Sequence, residues 1–111
     1  MDKIEKYRQI IKEVLTEYSQ VKPANGEIEV IPILNSELNS YQIIHMGWDN
    51  RHRIYGCTVH IDIKDDKVWI QNDNTEVGIA NELVDRGIPK KDIVLGYKAP
   101  YLRGFTDYAV S

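Results

Sequence analysis

Apolar residues near the N-terminus recur at steps of three and four: Ile4, Tyr7, Ile11, Val14, Leu15 and Tyr18. That spacing places them on one stripe and predicts a helix over residues 3–19. Asp2 precedes Glu5 by the spacing of a capping box, so its carboxylate can accept an orphan amide at the helix start. Lys22-Pro23-Ala24-Asn25-Gly26 then stops the helix. From there the period falls to about two over 27–34, 41–48, 53–63 and 68–72, which predicts four strands. The links between them are short and turn-like, so neighbours should pair as an antiparallel meander.

Hairpins centred on Asn50-Arg51 and Asp65-Asp66 decide which side chains share a face. Ile44, Met46 and Trp48 then fall with Tyr55, Cys57, Val59, Ile61, Ile63, Val68 and Ile70 on the predicted core face, with Trp48 filling core. Tyr41, Ile43, His45, Ile54, Thr58, His60, Asp62, Trp69 and Gln71 fall on the other, a mixed surface suited to a protein interface. Asp65-Asp66 lacks the glycine of a tight turn, which predicts a longer or slightly strained connection.

Beyond the strands, Asp73 and Glu76 repeat the capping spacing. Val77, Ala80, Leu83 and Val84 predict a second helix to about Arg86, with Gly87 at its C′ position and Pro89 barring continuation. Ile93-Val94-Leu95 reads as a short strand, and residues 97–111 carry Tyr97, Tyr101, Phe105 and Tyr108 without clear periodicity. The predicted fold is α+β, a single domain over residues 1–111. It comprises a four-stranded antiparallel meander with two helices packed on one face, a short C-terminal strand and an ordered tail. The alternative sets the helices on opposite faces, which would bury His60 and Asp62 and demand partners for them.

Length and charge narrow the classes of function. A chain of 111 residues has no room for two independent cores. Fourteen basic and seventeen acidic side chains give a net charge of −3, and the largest basic groups are Arg51-His52-Arg53 and Lys90-Lys91. Neither is large enough to grip duplex DNA through its phosphates, so direct DNA binding by the isolated chain is not expected. The lone Cys57 cannot form an internal disulfide and reads as a structural thiol. The charged, amphipathic start is not a signal peptide and no apolar run approaches spanning length, so a cytoplasmic location is expected.

His60-x-Asp62 sets an imidazole and a carboxylate on one strand face, a spacing found in metal sites of two histidines and one carboxylate. His45 is the nearest third ligand, yet the predicted register places it opposite Gly56, roughly 13 Å from His60 along the strand. A solvated or interface-facing His–Asp pair is the simpler reading, and no metal or other cofactor is expected. Asp62-Ile63-Lys64 matches half of a metal-dependent nuclease site but lacks a second acidic residue at a suitable place. Cys57 and His60 are expected on opposite faces of one strand, which excludes a Cys–His nucleophile. An enzyme is therefore not expected. Trp69 is the better anchor for a partner on the mixed face, unless the tail covers it. Tyr97, Tyr101, Arg103 and Phe105 form a second candidate contact surface, or pack locally.

Several compact signatures stand in fixed order: Gly47-Trp48-Asp49-Asn50-Arg51, Tyr55-Gly56-Cys57, His60-Ile61-Asp62-Ile63-Lys64 and Val68-Trp69-Ile70-Gln71-Asn72-Asp73. They are followed by Gly78-Ile79-Ala80-Asn81-Glu82-Leu83-Val84, the run Gly87 to Tyr97, and Phe105-Thr106-Asp107-Tyr108-Ala109. With the opening Met1-Asp2-Lys3-Ile4-Glu5-Lys6-Tyr7-Arg8, this order resembles the XisI family of cyanobacterial fdxN element excision controlling factors over nearly the whole chain. The likeness departs visibly at Asp66, where the family often has glycine. The resemblance implies an accessory factor for excision of a DNA element, acting through an XisH-like, nuclease-related protein, a site-specific recombinase, or both. Two alternatives stay open: an antitoxin-like inhibitor of the XisH-like partner, and a small metal- or ligand-binding enzyme using His60 and Asp62. A homodimer would be one way to cover the mixed face.

Overall fold

The structure is a computed structural model that describes residues 2–21 and 27–111. Helix α1, Lys3–Ser19, begins where the sequence predicts, with Asp2 Oδ1 accepting the Glu5 N–H at 2.8 Å. Tyr7, Ile10, Ile11, Val14 and Leu15 are its buried stripe. The predicted stop at Lys22 to Gly26 lies outside the described residues. Strands β1 (Glu27–Asn35), β2 (Ser40–Asp49), β3 (His52–Lys64) and β4 (Lys67–Asp73) form the expected antiparallel meander. Strand β5, Ile93–Leu95, adds to β4 in parallel, so the sheet has five strands and is mixed. A parallel neighbour requires a crossover, and helix α2, Ile79–Asp85, supplies it.

Both helices lie on one face, where Ile11, Leu15, Ile79 and Leu83 share a core with Val59, Ile61, Val68, Ile70 and Ile93. Their arrangement on opposite faces is not adopted. The start of α2 differs from the capping prediction. Asp73 ends β4, where its Oδ1 accepts the Thr75 N–H and hydroxyl and its Oδ2 accepts the Ile79 N–H at 2.8 Å. Helix α2 thus starts only after Gly78, and Val77 is exposed instead of joining the stripe. Its end is as predicted: Gly87 has φ +115°, its N–H reaches the Val84 carbonyl, and the N–H of buried Ile88 reaches that of Leu83. That pair of bonds is a Schellman motif.

The sheet corrects the predicted division of faces. The Asn50-Arg51 turn pairs Ile44 with Cys57 and His45 with Gly56, as expected. One step further the register slips: Ile43 pairs with Val59, leaving Thr58 as an extra residue on β3. A bulge of this kind reverses the phase of every later side chain on its strand. Tyr41 and Ile43, expected on the mixed face, are fully buried under the helices. His45 turns the same way, with its Nδ1 2.6 Å from Thr58 Oγ1 and its ring edge-on to Tyr18. Ile44, Met46 and Trp48 go to the outer face with Tyr55 and Cys57, and Trp48 is 52% exposed, not core.

A second bulge, at Gln71, separates the pairs His60–Asn72 and Ile61–Ile70. Asn72 Nδ2 donates to the carbonyls of Cys57 (2.9 Å) and Thr58 (3.2 Å), which supplies partners where the ladder is broken. The Asp65-Asp66 turn keeps to two residues, joining Lys64 to Lys67, and both aspartates take positive φ, 53° and 61°. It is strained and not lengthened.

One buried polar group ties the first helix to the last strand. Asp92, 7% exposed, sits in a short 3-10 turn (Lys90–Asp92) that leads into β5. It accepts a hydrogen bond from the Tyr7 hydroxyl and lies 3.1 Å from Lys3 Nζ. Burial opposes its charge, but the bonds from Tyr7 and Lys3 and the charges of Lys3 and Lys91 outweigh that cost and hold its carboxyl below the usual range. Burial and the adjacent carboxylate push the Tyr7 hydroxyl up.

Candidate functional site

On the outer face β2, β3 and β4 bring Ser40, His60, Asp62 and Gln71 into one chain of contacts. His60 and Asp62 stand two apart on β3 and so point the same way, with Nε2 and Oδ1 2.9 Å apart. Gln71 Nε2 donates to Asp62 Oδ2 at 3.3 Å, and Ser40 Oγ lies 3.3 Å from the same His60 Nε2. A nucleophile relay needs its hydroxyl and its carboxylate on different ring nitrogens. Here both meet one nitrogen, so the set orients the imidazole without activating the serine.

His45 is on the helix side of the sheet and His60 on the outer side, so the third metal ligand considered from the sequence is removed by the bulge. Among the described residues no cluster of three or more His, Cys, Asp or Glu side chains could hold a metal ion. The bulge also places Cys57 on the same face as His60, against expectation. Burial pushes the Cys57 thiol up, and its Sγ lies 3.1 Å from the Val59 carbonyl, to which it donates. A protonated thiol held in this way is a poor nucleophile.

Trp69 does not stand beside Tyr41 and Ile43, which face the core. It is clasped on the outer face between Lys64 Nζ, 4.3 Å from its ring centroid, and the Arg103 guanidinium at 5.3 Å. Its indole Nε1 is buried and has no hydrogen-bond partner among the described residues. Arg103 comes from a third short helix, α3 (Pro100–Arg103), and also donates to the carbonyls of Lys98 (3.1 Å), Gly96 (3.4 Å) and Val110 (3.4 Å). One side chain therefore staples the tail to the sheet, and Ala109 adds a parallel bridge to fully buried Val94. The tail covers the β4–β5 part of the outer face, in line with the local-packing alternative for Trp69 and Arg103. Tyr97, Tyr101 and Phe105 stay out of this packing, 49%, 78% and 86% exposed.

The described residues leave the hairpin end of the β1–β3 outer face exposed, although Ile44 further along it is only 9% exposed, and the sequence reading missed this surface because it assigned Met46 and Trp48 to the core. Trp48 (52% exposed) and Tyr55 (68%) lie there. Arg53 stacks within 5.5 Å of the Trp48 ring and 5.9 Å of the Tyr55 ring. An open depression of about 350 Å³ adjoins them, lined by Glu27, Ile28, Glu29, Met46, Gly47 and Arg53. The alternation of Trp48, Arg53 and Tyr55 around the hairpin was the available signal.

A family model described as XisI protein matches residues 1–110. Among solved structures, a XisI-like protein from Anabaena variabilis is 45% identical, with a TM-score of 0.91 over 98% of this chain and 100% of that one. The fdxN element excision controlling factor XisI from the same organism is 31% identical, with a TM-score of 0.81 over 99% and 100%. No curated protein matches the chain.

Proposed function

The chain belongs to the XisI family, and from that membership we propose that it is an accessory controlling factor in the site-specific excision of a DNA element. It works by protein contact and not by reading DNA, and its partner is an XisH-like, nuclease-related protein, a recombinase, or both in turn. No chemistry of its own is assigned to it, since His60, Asp62 and Ser40 are arranged to hold one another.

The observation that carries this reading is the tail. Tyr101 and Phe105 are almost bare on a segment that Arg103 fixes in place, so they offer aromatic anchors with little ordering cost. Residues 90–111 hold four cations against two carboxylates, whereas the whole chain carries −3. A partner pocket that is apolar and rimmed by carboxylates fits that surface.

Co-expression with an XisH-like companion, followed by native mass spectrometry, tests it. A stoichiometric complex that is lost on combining Tyr101→Ala with Phe105→Ala supports the reading. Two separate species, or tight and salt-resistant binding of the isolated chain to a specific duplex, would overturn it. Activity of the companion with and without this chain then separates activation from antitoxin-like inhibition.

A further inference from the structure

The uncovered part of the outer face is self-complementary, and we propose that a second copy of this chain packs on it about a two-fold axis parallel to β2. The pairing of strands lays this face out in rows: Glu27–Trp48–Arg53, then Glu29–Met46–Tyr55, then Ile31–Ile44–Cys57. Glu27 and Glu29 precede Ile31 in the β1 column, apolar side chains fill the β2 column, and Arg53 and Tyr55 precede Cys57 in the β3 column. A two-fold axis along β2 exchanges the outer columns and keeps the rows. Glu27 of each copy then meets Arg53 of the other, while Trp48 and Met46 meet their own equivalents and Ile44, only 9% exposed, lies beneath the contact. The perpendicular axis would set β1 on β1 and oppose like charges, which disfavours it.

Three further features agree. Among the described residues Arg53 has no carboxylate partner, yet it is held ready by the Trp48 and Tyr55 rings and by a 3.3 Å bond to the Gly47 carbonyl. The depression beside Glu29 and Met46 lies where this axis brings Tyr55 of the second copy, so the most exposed aromatic of the face has a seat. Association through the free edge of β1 is hindered by Pro32, which offers no amide to a neighbouring strand.

The size of the face is adequate. Three strands of about nine residues project on the order of 400 Å² at the usual strand spacing and rise. Protruding side chains raise the accessible area above that projection, toward the ~800 Å² per partner of a standard interface. Aligned sheets cross at roughly 30° and stand about 10 Å apart, offsets that the long Glu and Arg side chains can span.

The test needs no partner protein, so its outcome is independent of the function proposed above. Sedimentation equilibrium of the full chain over a wide concentration range should show a monomer–dimer equilibrium. E27R alone and R53E alone should each raise the dimer dissociation constant about tenfold, and the double variant E27R/R53E should recover most of the loss. Tyr55→Ala, at an exposed site, should weaken the dimer without altering the fold seen by circular dichroism. A monomer at all concentrations, a dimer indifferent to the single exchanges, or a double variant as weak as the singles would each overturn the proposal.

Discussion

Tyr7→Phe removes one hydroxyl from the core and leaves the ring in place. That hydroxyl donates to the carboxylate of Asp92, which is 7% exposed. A hydrogen bond to a charged group contributes ~1.5–3 kcal/mol. Lys3 Nζ remains 3.1 Å from the carboxylate and keeps part of the compensation. The expected loss at neutral pH is therefore about 2 kcal/mol, or roughly 8 °C in Tm for a domain of this length. The dependence on pH has a definite sign. The Asp92 carboxyl lies below its usual range when folded, so its contribution is complete above the unfolded value of about 3.9 and is lost as pH falls through the folded value. The phenylalanine variant lacks a donor that favours the charged form, so it has less of that contribution to lose. The gap between the two proteins should narrow on acidification. Urea denaturation of both, from neutral to acid pH, measures it. A variant within ~0.5 kcal/mol of the parent at neutral pH, or a gap that does not change with pH, would refute the assignment, since surface substitutions without such a role fall in that range.

The remaining expectations concern the turn and the tail. Asp66→Gly should stabilise the protein by up to about 1 kcal/mol, because residue 66 sits at φ 61° where glycine carries no steric penalty; thermal melts of the two proteins decide it, and equal Tm values would argue against strain in this turn. Arg103→Ala should free the tail while sparing the sheet, so amide exchange of Gly96 and Ala109 should speed up more than that of Ile61 or Val68. Protection unchanged at Ala109 would mean that the strand bridge, and not the arginine, holds the tail.

Much of the fold was legible because its signals are local. Helix α1 follows from one apolar stripe and one capping aspartate, and the strand limits follow from turn residues at their ends. The division of faces was not legible. Tyr41 and Ile43 alternate with Ile44 and Met46, so β2 is apolar on both sides and its pattern cannot say which side is buried. The answer depends on a one-residue slip at Thr58, which changes pairing without changing any local propensity. The same limit applies to the site. His60 and Asp62 were readable as a pair because two residues along a strand share a face, whereas the clasp of Arg103 on Trp69 joins segments that meet only after folding. Asp73 shows a third kind of miss: it caps α2 from beyond the range that a three-residue motif describes.

The bulge at Thr58 also bears on how chains of this kind can change in length over evolutionary time. Without that residue, Cys57, Val59, His60, Ile61 and Asp62 alternate without interruption against the run from Ile44 down to Ser40. Thr58 is thus an insertion that the strand pair contains at one spot, with Asn72 closing over it. A descendant that lost it would keep every inward and outward side chain in place, so this position can gain or shed a codon without re-sorting the molecule.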